Sequence, residues 1–502
     1  FANITDYFTE LSLKRFSQTL ILDFSKKAFA RITHYPLSHF RRTDIGDYIY
    51  RLSYDASAIG ELFENGVVPL VLNLIAAIVT GTILIFIHPV LGMLGVFMAP
   101  ILVGMLMWFQ RKIGKATRAS EYSNSVLFTF IQEVLSQLKV VQAFTREEAE
   151  INAFQKKEAQ MLNRDVRLAQ MQFLLTLCVG VIIVFGYALV ISYGIAEVLA
   201  GTMTAGFLVA FIFYLDNFTG PLISCVNAVA NSKESMERVS RLSQLIEKKE
   251  TEEDGGVAIA INGSDIVCKN VHVYGDENVH ILKNISVTIP KNKVTVIVGT
   301  NGSGKTTFIS LLLRFMEVGK GNLTIDGRDI RTYAHTSLRQ AVAYVPQEIE
   351  LFDGTVRENV AFGNLLANDE DVERACRQAI ADQFIKKLPG GYDYNVGDGG
   401  SRLSGGQRQR VLLARAIVKS DAPFLVMDEP FSFLDIRTYR RVLQTFPQWT
   451  KNKTVIIVSN VLQIIEKADF VIVFNEGRIA HTGTHAELVK KSDIADFLVS
   501  IA

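Results

Sequence analysis

The chain has 502 residues, with 52 Lys and Arg against 51 Asp and Glu and a net charge of +1. That length calls for more than one domain, and the balanced charge gives no support to a nucleic-acid partner. Apolar residues make up 49% of the chain and are unevenly distributed, which sets it apart from an ordinary soluble enzyme.

Four cysteines, Cys178, Cys225, Cys268 and Cys376, are far apart and lack metal-ligand spacing. They read as isolated buried thiols of a reducing compartment. The chain starts at Phe1 without a signal-peptide pattern, so an N-terminal part is expected to be missing. Residues 1–25 have a helical apolar pattern interrupted by Asp6, Glu10, Lys14, Arg15 and Asp23, and read as a membrane helix facing neighbours or a polar cavity.

Residues 52–110 and 168–232 contain no Lys or Arg. Each interval holds two long apolar runs and a short breaker. Val67 to Ile87 and Val90 to Phe109 flank His88-Pro89; Phe173 to Ile195 and Phe207 to Ala230 flank Glu197 to Thr204. A run of about 20 apolar residues spans the hydrocarbon core as a helix, so each interval reads as a transmembrane hairpin. The basic residues lie between the hairpins, which makes those segments cytoplasmic by the positive-inside rule. With residues 1–25 this gives five spans, an odd number that a missing preceding span would explain. From Arg111 to Arg167 the pattern stays helical and contains no proline, so these helices should run well past the bilayer before turning back. Asp216 is the one acid near the middle of a span. It either lines a substrate path or makes a structural hydrogen bond. The expected boundaries are a transmembrane domain over 1–240, a charged linker over 241–262 and a second domain over 263–502.

The second domain contains GTNGSGKTT: Gly299, Thr300, Asn301, Gly302, Ser303, Gly304, Lys305, Thr306 and Thr307. It follows the apolar run Val294 to Val298 and precedes an amphipathic segment, the strand–loop–helix order of a phosphate cradle. Lys305 is placed to reach the β- and γ-phosphates of ATP and Thr306 to ligate Mg²⁺. FLVMDE ends an apolar strand in two acids. Asp428 would hold Mg²⁺, directly or through water, and Glu429 would act as general base; alternatively the pair caps the next helix. LSGGQRQR carries Ser404, Gly405, Gly406 and Gln407 in a second turn suited to an anion at a helix start. Because the first loop is already a complete cradle, the second makes sense if it closes over nucleotide held by another copy.

These motifs, together with YPLSHFRRTDIGDYIYRLSYD at Tyr35 to Asp55, resemble a half-transporter of the ABC exporter family, six-span type, over essentially the whole chain. The resemblance implies an all-α polytopic transmembrane domain followed by an α/β P-loop NTPase domain. GTNGSGKTT looks like the Walker A motif, FLVMDEP like Walker B, LSGGQ like the signature and SFLD (Ser432 to Asp435) like the D-loop at a dimer face. Gln347 resembles the Q-loop glutamine, which contacts Mg²⁺. Coupling helices are implied within Tyr35–Asp47 and Leu138–Glu148, and an elbow helix plus first span in the missing part. Two positions depart from the pattern. Asn460 stands where the family has a switch histidine, keeping a donor but unable to carry charge. Tyr274, the candidate to stack on adenine, is displaced by one residue.

The expected function is therefore an ATP-driven exporter subunit in a bacterial inner membrane, its nucleotide domain cytoplasmic. Its partners are the lipid bilayer and a second half-transporter, a homodimer being favoured and a heterodimer open. The alternative motivated by Asn460 is an ATP-gated channel or regulatory subunit. A soluble DNA-repair-type ATPase would share the motifs but not the hairpins free of Lys and Arg. Lipids, peptides, glycolipids and drugs all remain candidate substrates.

Overall fold

The structure, a computed structural model, describes residues 2–42, 45–247, 256, 265–275 and 279–490. It divides into two compact units, Phe1–Thr33 with Asp44–Lys249, and His34–Thr43 with Glu250–Ala502. Most of the linker expected over 241–262 lies outside the described residues.

The first unit is helical: α1 (Ala2–Ile32), α3 (Ile45–Tyr50), α4 (Ser57–Glu61), α5 (Val68–Ile87), α6 (Pro89–Ser136), α7 (Leu138–Ala143), α8 (Glu147–Leu199) and α9 (Ala205–Glu247). The short α2 (Leu37–Arg42) falls in the second unit. Among the described residues four helices are long and apolar enough to cross a membrane: Gly46–Ile87, α6, α8 and α9. The 31-residue α1 is helical, as its pattern predicts, but the acids and bases along it keep it out of that set.

The break between the first two apolar runs follows from His88-Pro89. The residue before proline avoids the helical region, and His88 is extended, with φ −151° and ψ 109°. Its Nδ1 accepts from the Leu91 N–H at 3.3 Å, while Pro89 opens α6 where no N–H is needed. The arms then meet so tightly that a Cβ on Gly92 would fall 2.6 Å from the Leu84 carbonyl oxygen.

With 48 and 53 residues, α6 and α8 are roughly 72 and 80 Å long, more than twice a hydrocarbon core of about 30 Å. They pack along each other, as α5 does along α9. Beyond the apolar runs, polar bonds take over between α6 and α8: Arg164 donates to the Ala119 carbonyl at 2.9 Å, and Ser120 to Asp165. Within the apolar part, Leu84, Leu91, Val190, Phe211, Leu215 and Phe218 form a buried cluster. Asp216 accepts a hydrogen bond from the Tyr187 hydroxyl at 3.2 Å, so the structural role of that acid is realised.

Two wide π-helical turns, Arg51–Asp55 and Leu62–Val67, interrupt the helix leading to α5. Such turns often mark functional positions, because they free backbone carbonyls. Here the first presents Asp55, fully buried, to α9. Arg241 donates to both its oxygens, at 3.0 and 2.9 Å, and Arg238 lies 3.6 Å away. Arg238 also donates to Glu61 at 2.6 Å, to Ser57 at 3.1 Å and to the Tyr54 carbonyl. The buried charge is thereby compensated on every side.

The second unit contains a six-stranded sheet in the order β10-β9-β3-β8-β7-β6 and a four-stranded sheet in the order β2-β1-β4-β5. The strands are β1 (Ile266–Tyr274), β2 (His280–Ile289), β3 (Val294–Gly299), β4 (Lys320–Ile325), β5 (Arg328–Asp329), β6 (Val342–Val345), β7 (Phe424–Asp428), β8 (Thr454–Val458), β9 (Phe470–Asn475) and β10 (Arg478–Gly483). β9, β3, β8, β7 and β6 are parallel, and β10 returns antiparallel to β9. Parallel strands buried on both faces read as continuous apolar runs, and these do. Alternate residues go to opposite cores: Val296, Val298, Leu425, Met427, Val455 and Ile457 to one, Ile297, Phe424, Val426, Ile456 and Val458 to the other. Cys268 and Cys376 are buried, Cys178 and Cys225 half-buried, and all four are free thiols.

Replacing Asp55 by alanine removes the buried partner of Arg241 and Arg238, whose side chains are 46% and 18% exposed. The expected loss is about 2 kcal/mol of stability, below that of a fully buried pair because solvent screens Arg241, read as a lowered melting temperature in detergent micelles; an unchanged melt would contradict the clamp.

Candidate functional site

The carboxyl ends of four neighbouring parallel strands carry most of the residues singled out in the sequence. β3 ends at Gly299 and opens the glycine-rich loop, and β8 runs on to Ser459-Asn460. β7 ends at Asp428-Glu429, and β6 leads to Gln347. Register brings them level: Ile297 and Asp428 both pair with Val458, and Val345 pairs with Met427.

The loop turns into α10 (Lys305–Leu312), whose N-cap is Gly304 at φ +100°. A side chain is excluded there twice over, by the positive φ and by Leu282 Cδ2, 2.6 Å from where a Cβ would lie. Lys305 arches back over the loop, donating to the carbonyls of Gly299 at 2.6 Å and Thr300 at 2.9 Å. Burial lowers its pKa, while Glu429 and Asp428 oppose that shift. Ser303 is buried and its hydroxyl has no partner. Asn301, Gly302 and Thr306 lie at the exposed surface of the loop and Thr307 is half-buried.

Asp428 is 1% exposed, and neither carboxylate oxygen has a hydrogen-bond partner. Burial raises its pKa. The Thr306 hydroxyl beside it eases the shift, Glu429 adds to it and Lys305 opposes it. An unsatisfied carboxylate in the interior is costly. With a threonine hydroxyl and a lysine as neighbours, it fits a hard divalent cation that takes oxygen ligands. Gln347 is exposed.

Glu429 is half-buried with φ +46°, a strained value for a residue with a side chain. Its N–H donates to the Val458 carbonyl at 3.0 Å, and Ser432 Oγ donates to its carbonyl at 2.9 Å. The alternative role of the acid pair as a cap is not realised: Asp435 caps the following helix, accepting from the N–H groups of Arg437 and Thr438 at 3.0 Å each. Asn460 is half-buried, and its amide oxygen has no partner.

Ser404 is the N-cap of α11 (Gly405–Ile417). Its hydroxyl accepts from the Gln407 N–H at 3.3 Å, and Gln407 Oε1 accepts from the Ser404 N–H at 2.9 Å. This capping box commits Gln407 to the turn and leaves the Gly405 and Gly406 N–H groups at the helix start. Sequence reasoning passed over Gln409, two residues further on, which the structure bonds to the Glu429 carbonyl and the Phe433 N–H. Its presence inside LSGGQRQR was the available signal.

Tyr274 is not brought to the loop. Val271 and Val273 face the core with Leu282, against which Gly304 packs, so alternation along β1 sends Tyr274 to the opposite face. There its ring lies parallel to that of His280, with centroids 4.7 Å apart, and His280 Nε2 is 3.0 Å from His272 Nδ1. A displacement of one residue in a strand changes the face.

Residues 3–222 match the family described as the ABC transporter transmembrane region, and residues 282–432 match the ABC transporter family. An ATP-dependent lipid A-core flippase of Desulfotalea psychrophila is 30% identical over 488 residues, 96% of this chain and 85% of that protein. The chain belongs to the ABC transporter family. A protein of Staphylococcus aureus named for multidrug export is 31% identical to the transporter over 493 residues, 97% of this chain and 84% of that one. A bacterial Atm1-family ABC exporter solved with ATP bound superposes with a TM-score of 0.86 at 25% identity, covering 99% of the transporter and 87% of that chain. The transporter is thus a membrane protein of the exporter kind, with a transmembrane region joined to a domain that binds and hydrolyses ATP. ABC exporters work as dimers of such halves.

Burial of Asp428 in ionised form has a cost that is present above its raised pKa and disappears below it. Asp428→Asn is therefore expected to melt higher than the unsubstituted transporter at pH 7, the difference shrinking as pH falls through that raised pKa towards the ordinary carboxylate value. An equal or lower melt at pH 7 would contradict the unsatisfied carboxylate.

Proposed function

We propose that the chain is one half of an exporter of a bacterial inner membrane, in which two copies close around ATP and drive alternating access. The observation that carries this reading is the pairing of two anion-binding turns in one domain. The Gly299–Thr307 loop is complete by itself, so the turn at Ser404-Gly405-Gly406 has work only on nucleotide held by the facing subunit. A homodimer is the simplest arrangement, since the chain has both halves of the composite site. The domain boundaries that suit this reading are a transmembrane domain over 1–240, a linker over 241–262 and a nucleotide domain over 263–502.

In this reading Lys305 exchanges the carbonyls of Gly299 and Thr300 for the β- and γ-phosphates, and its low-dielectric setting strengthens that attraction. Thr306, Asp428 and Gln347 are the residues that would hold Mg²⁺, which when bound neutralises charge on the phosphates. Glu429 accepts a proton from the attacking water, whose oxygen bonds to the γ-phosphorus as the β–γ bridging bond breaks and ADP departs with the electron pair. Asn460 is positioned after β8 to donate an amide N–H to that phosphate or water, but it cannot carry charge.

ATPase activity in lipid nanodiscs should fall by at least about 100-fold in Lys305→Ala and Glu429→Gln. Undiminished hydrolysis in Glu429→Gln would refute the base. Asn460 also motivates a second reading, an ATP-gated channel that hydrolyses slowly. Asn460→His is expected to raise turnover by about threefold or more if the amide limits the reaction, whereas ion currents that follow ATP occupancy in planar bilayers would favour the channel.

A further inference from the structure

Gln409 is the fifth residue of α11, is 3% exposed and reaches from that helix to the end of β7. Both ends of its amide are used. Nε2 donates to the Glu429 carbonyl at 3.3 Å, and Oε1 accepts from the Phe433 N–H at 2.8 Å. The five-residue turn from Glu429 to Phe433 also bears Ser432, whose hydroxyl donates to the same Glu429 carbonyl.

The same turn is seated on the start of α11. A Cβ on Gly406 would come within 2.9 Å of the Phe433 carbonyl oxygen, and one on Gly405 within 3.4 Å of the Phe433 ring. Gly406 of LSGGQ is thus needed within its own chain, where it lets the Phe433 backbone close on the helix, while Gly405 is in ordinary contact with the ring. Phe433 itself remains 58% exposed. The helix start, Phe433 and the backbone of Glu429 are consequently joined by one buried amide and one close backbone contact.

Glu429 needs such a restraint. At φ +46° its backbone sits in a region disfavoured for residues with a Cβ. Strain of this kind persists only where surrounding contacts over-determine it. Val458, Ser432 and Gln409 supply those contacts. Of the three, only Gln409 comes from the helix headed by Ser404.

We propose that Gln409 is a positioning residue for hydrolysis. It holds Glu429 in its strained conformation and makes that conformation depend on where the signature helix sits. The inference rests on the reading of Glu429 as general base and of Ser404-Gly405-Gly406 as a nucleotide contact across the dimer. Under it, nucleotide engaged by the signature turn of a subunit steadies the base that the same subunit contributes to the other composite site. Both ends of the buried Gln409 amide are taken up by backbone groups of its own chain, so its loss should change the rate of the bound complex and leave the affinity for ATP alone.

The test uses the full-length chain in lipid nanodiscs. Gln409→Met keeps the volume and removes both hydrogen bonds; Gln409→Glu keeps an acceptor for the Phe433 N–H and loses the donor to Glu429. Binding of a fluorescent ATP analogue and the melting temperature are read beside kcat and KM, with Glu429→Gln as reference. Gln409→Met should lower kcat about tenfold with analogue affinity within about twofold of the unsubstituted protein, and Gln409→Glu should fall between the two. A kcat within about twofold of the unsubstituted value in Gln409→Met, beside an inactive Glu429→Gln, would overturn the positioning role and leave the base intact. An active Glu429→Gln would instead remove the base. Should Gln409→Met lose analogue binding and melt early, Gln409→Glu decides alone: reduced kcat at unchanged affinity supports the role, and full kcat overturns it.

Discussion

Asp428 is a carboxylate buried at the end of a central strand; neither oxygen has a hydrogen-bond partner, and the Thr306 hydroxyl and Lys305 beside it offset only part of the cost of burial. A folded protein tolerates such a group only where something else repays the cost. The sheet is arranged so that this happens at one place. β3, β8, β7 and β6 stand side by side and in parallel, so their carboxyl ends present Lys305, Asn460, Asp428 with Glu429, and Gln347 along a single rim. The apolar alternation that drives Val296, Val298 and Ile297 into two separate cores also fixes which residues reach that rim. Folding energy from two buried faces thus supports one unsatisfied edge.

The helical unit meets a different constraint. Its longest helices exceed any bilayer, so their outer parts must find partners in water. They do so through polar bonds such as Arg164 to Ala119, while Leu84, Leu91 and Phe211 serve the apolar part. The Asp55 clamp works on the same principle. Charge is buried, but each oxygen has an arginine, and the π-helical turn offers the Tyr54 carbonyl as a further acceptor. In the chain, α9 is the helix that precedes the nucleotide domain, and the clamp fixes its last turns.

What could be read without coordinates was whatever depends on short, fixed spacing. The loop from Gly299 to Thr307, the acids at 428 and 429 and the turn at 404–407 each lie within a few residues, and strand-before or helix-after context is local too. The first hairpin break was legible because proline restricts its predecessor, and His88 obeys. Distances along the chain defeat the same reasoning. Asp55 meets Arg241 across 186 residues, and no pattern announces it. Gln409 bonds to backbone groups 20 and 24 residues away, so its side-chain type alone gives no clue. Tyr274 fails for a third reason: strands alternate with a period of two, and an offset of one position is enough to turn an aromatic ring away from the loop it was expected to serve. The Ser404 turn reads from sequence as an anion site, and the structure adds that Gln407 already occupies the Ser404 N–H.

The claim that depends on all of this is that hydrolysis takes place between two copies, one supplying Lys305 and the other Ser404. Mixing two individually inactive variants measures it directly. Lys305→Ala and Ser404→Arg, each silent alone, are co-reconstituted in nanodiscs under conditions that allow subunits to exchange. In the mixed dimer one composite site carries both lesions and the other carries neither. ATPase activity should therefore return in the mixture, to at most about a quarter of the unsubstituted level: half of randomly paired dimers each have one intact site, and the subunit that supplies its Glu429 carries the Ser404 lesion on its own signature helix. A mixture as silent as its components, although mixed dimers are recovered from it, would contradict a site shared between subunits.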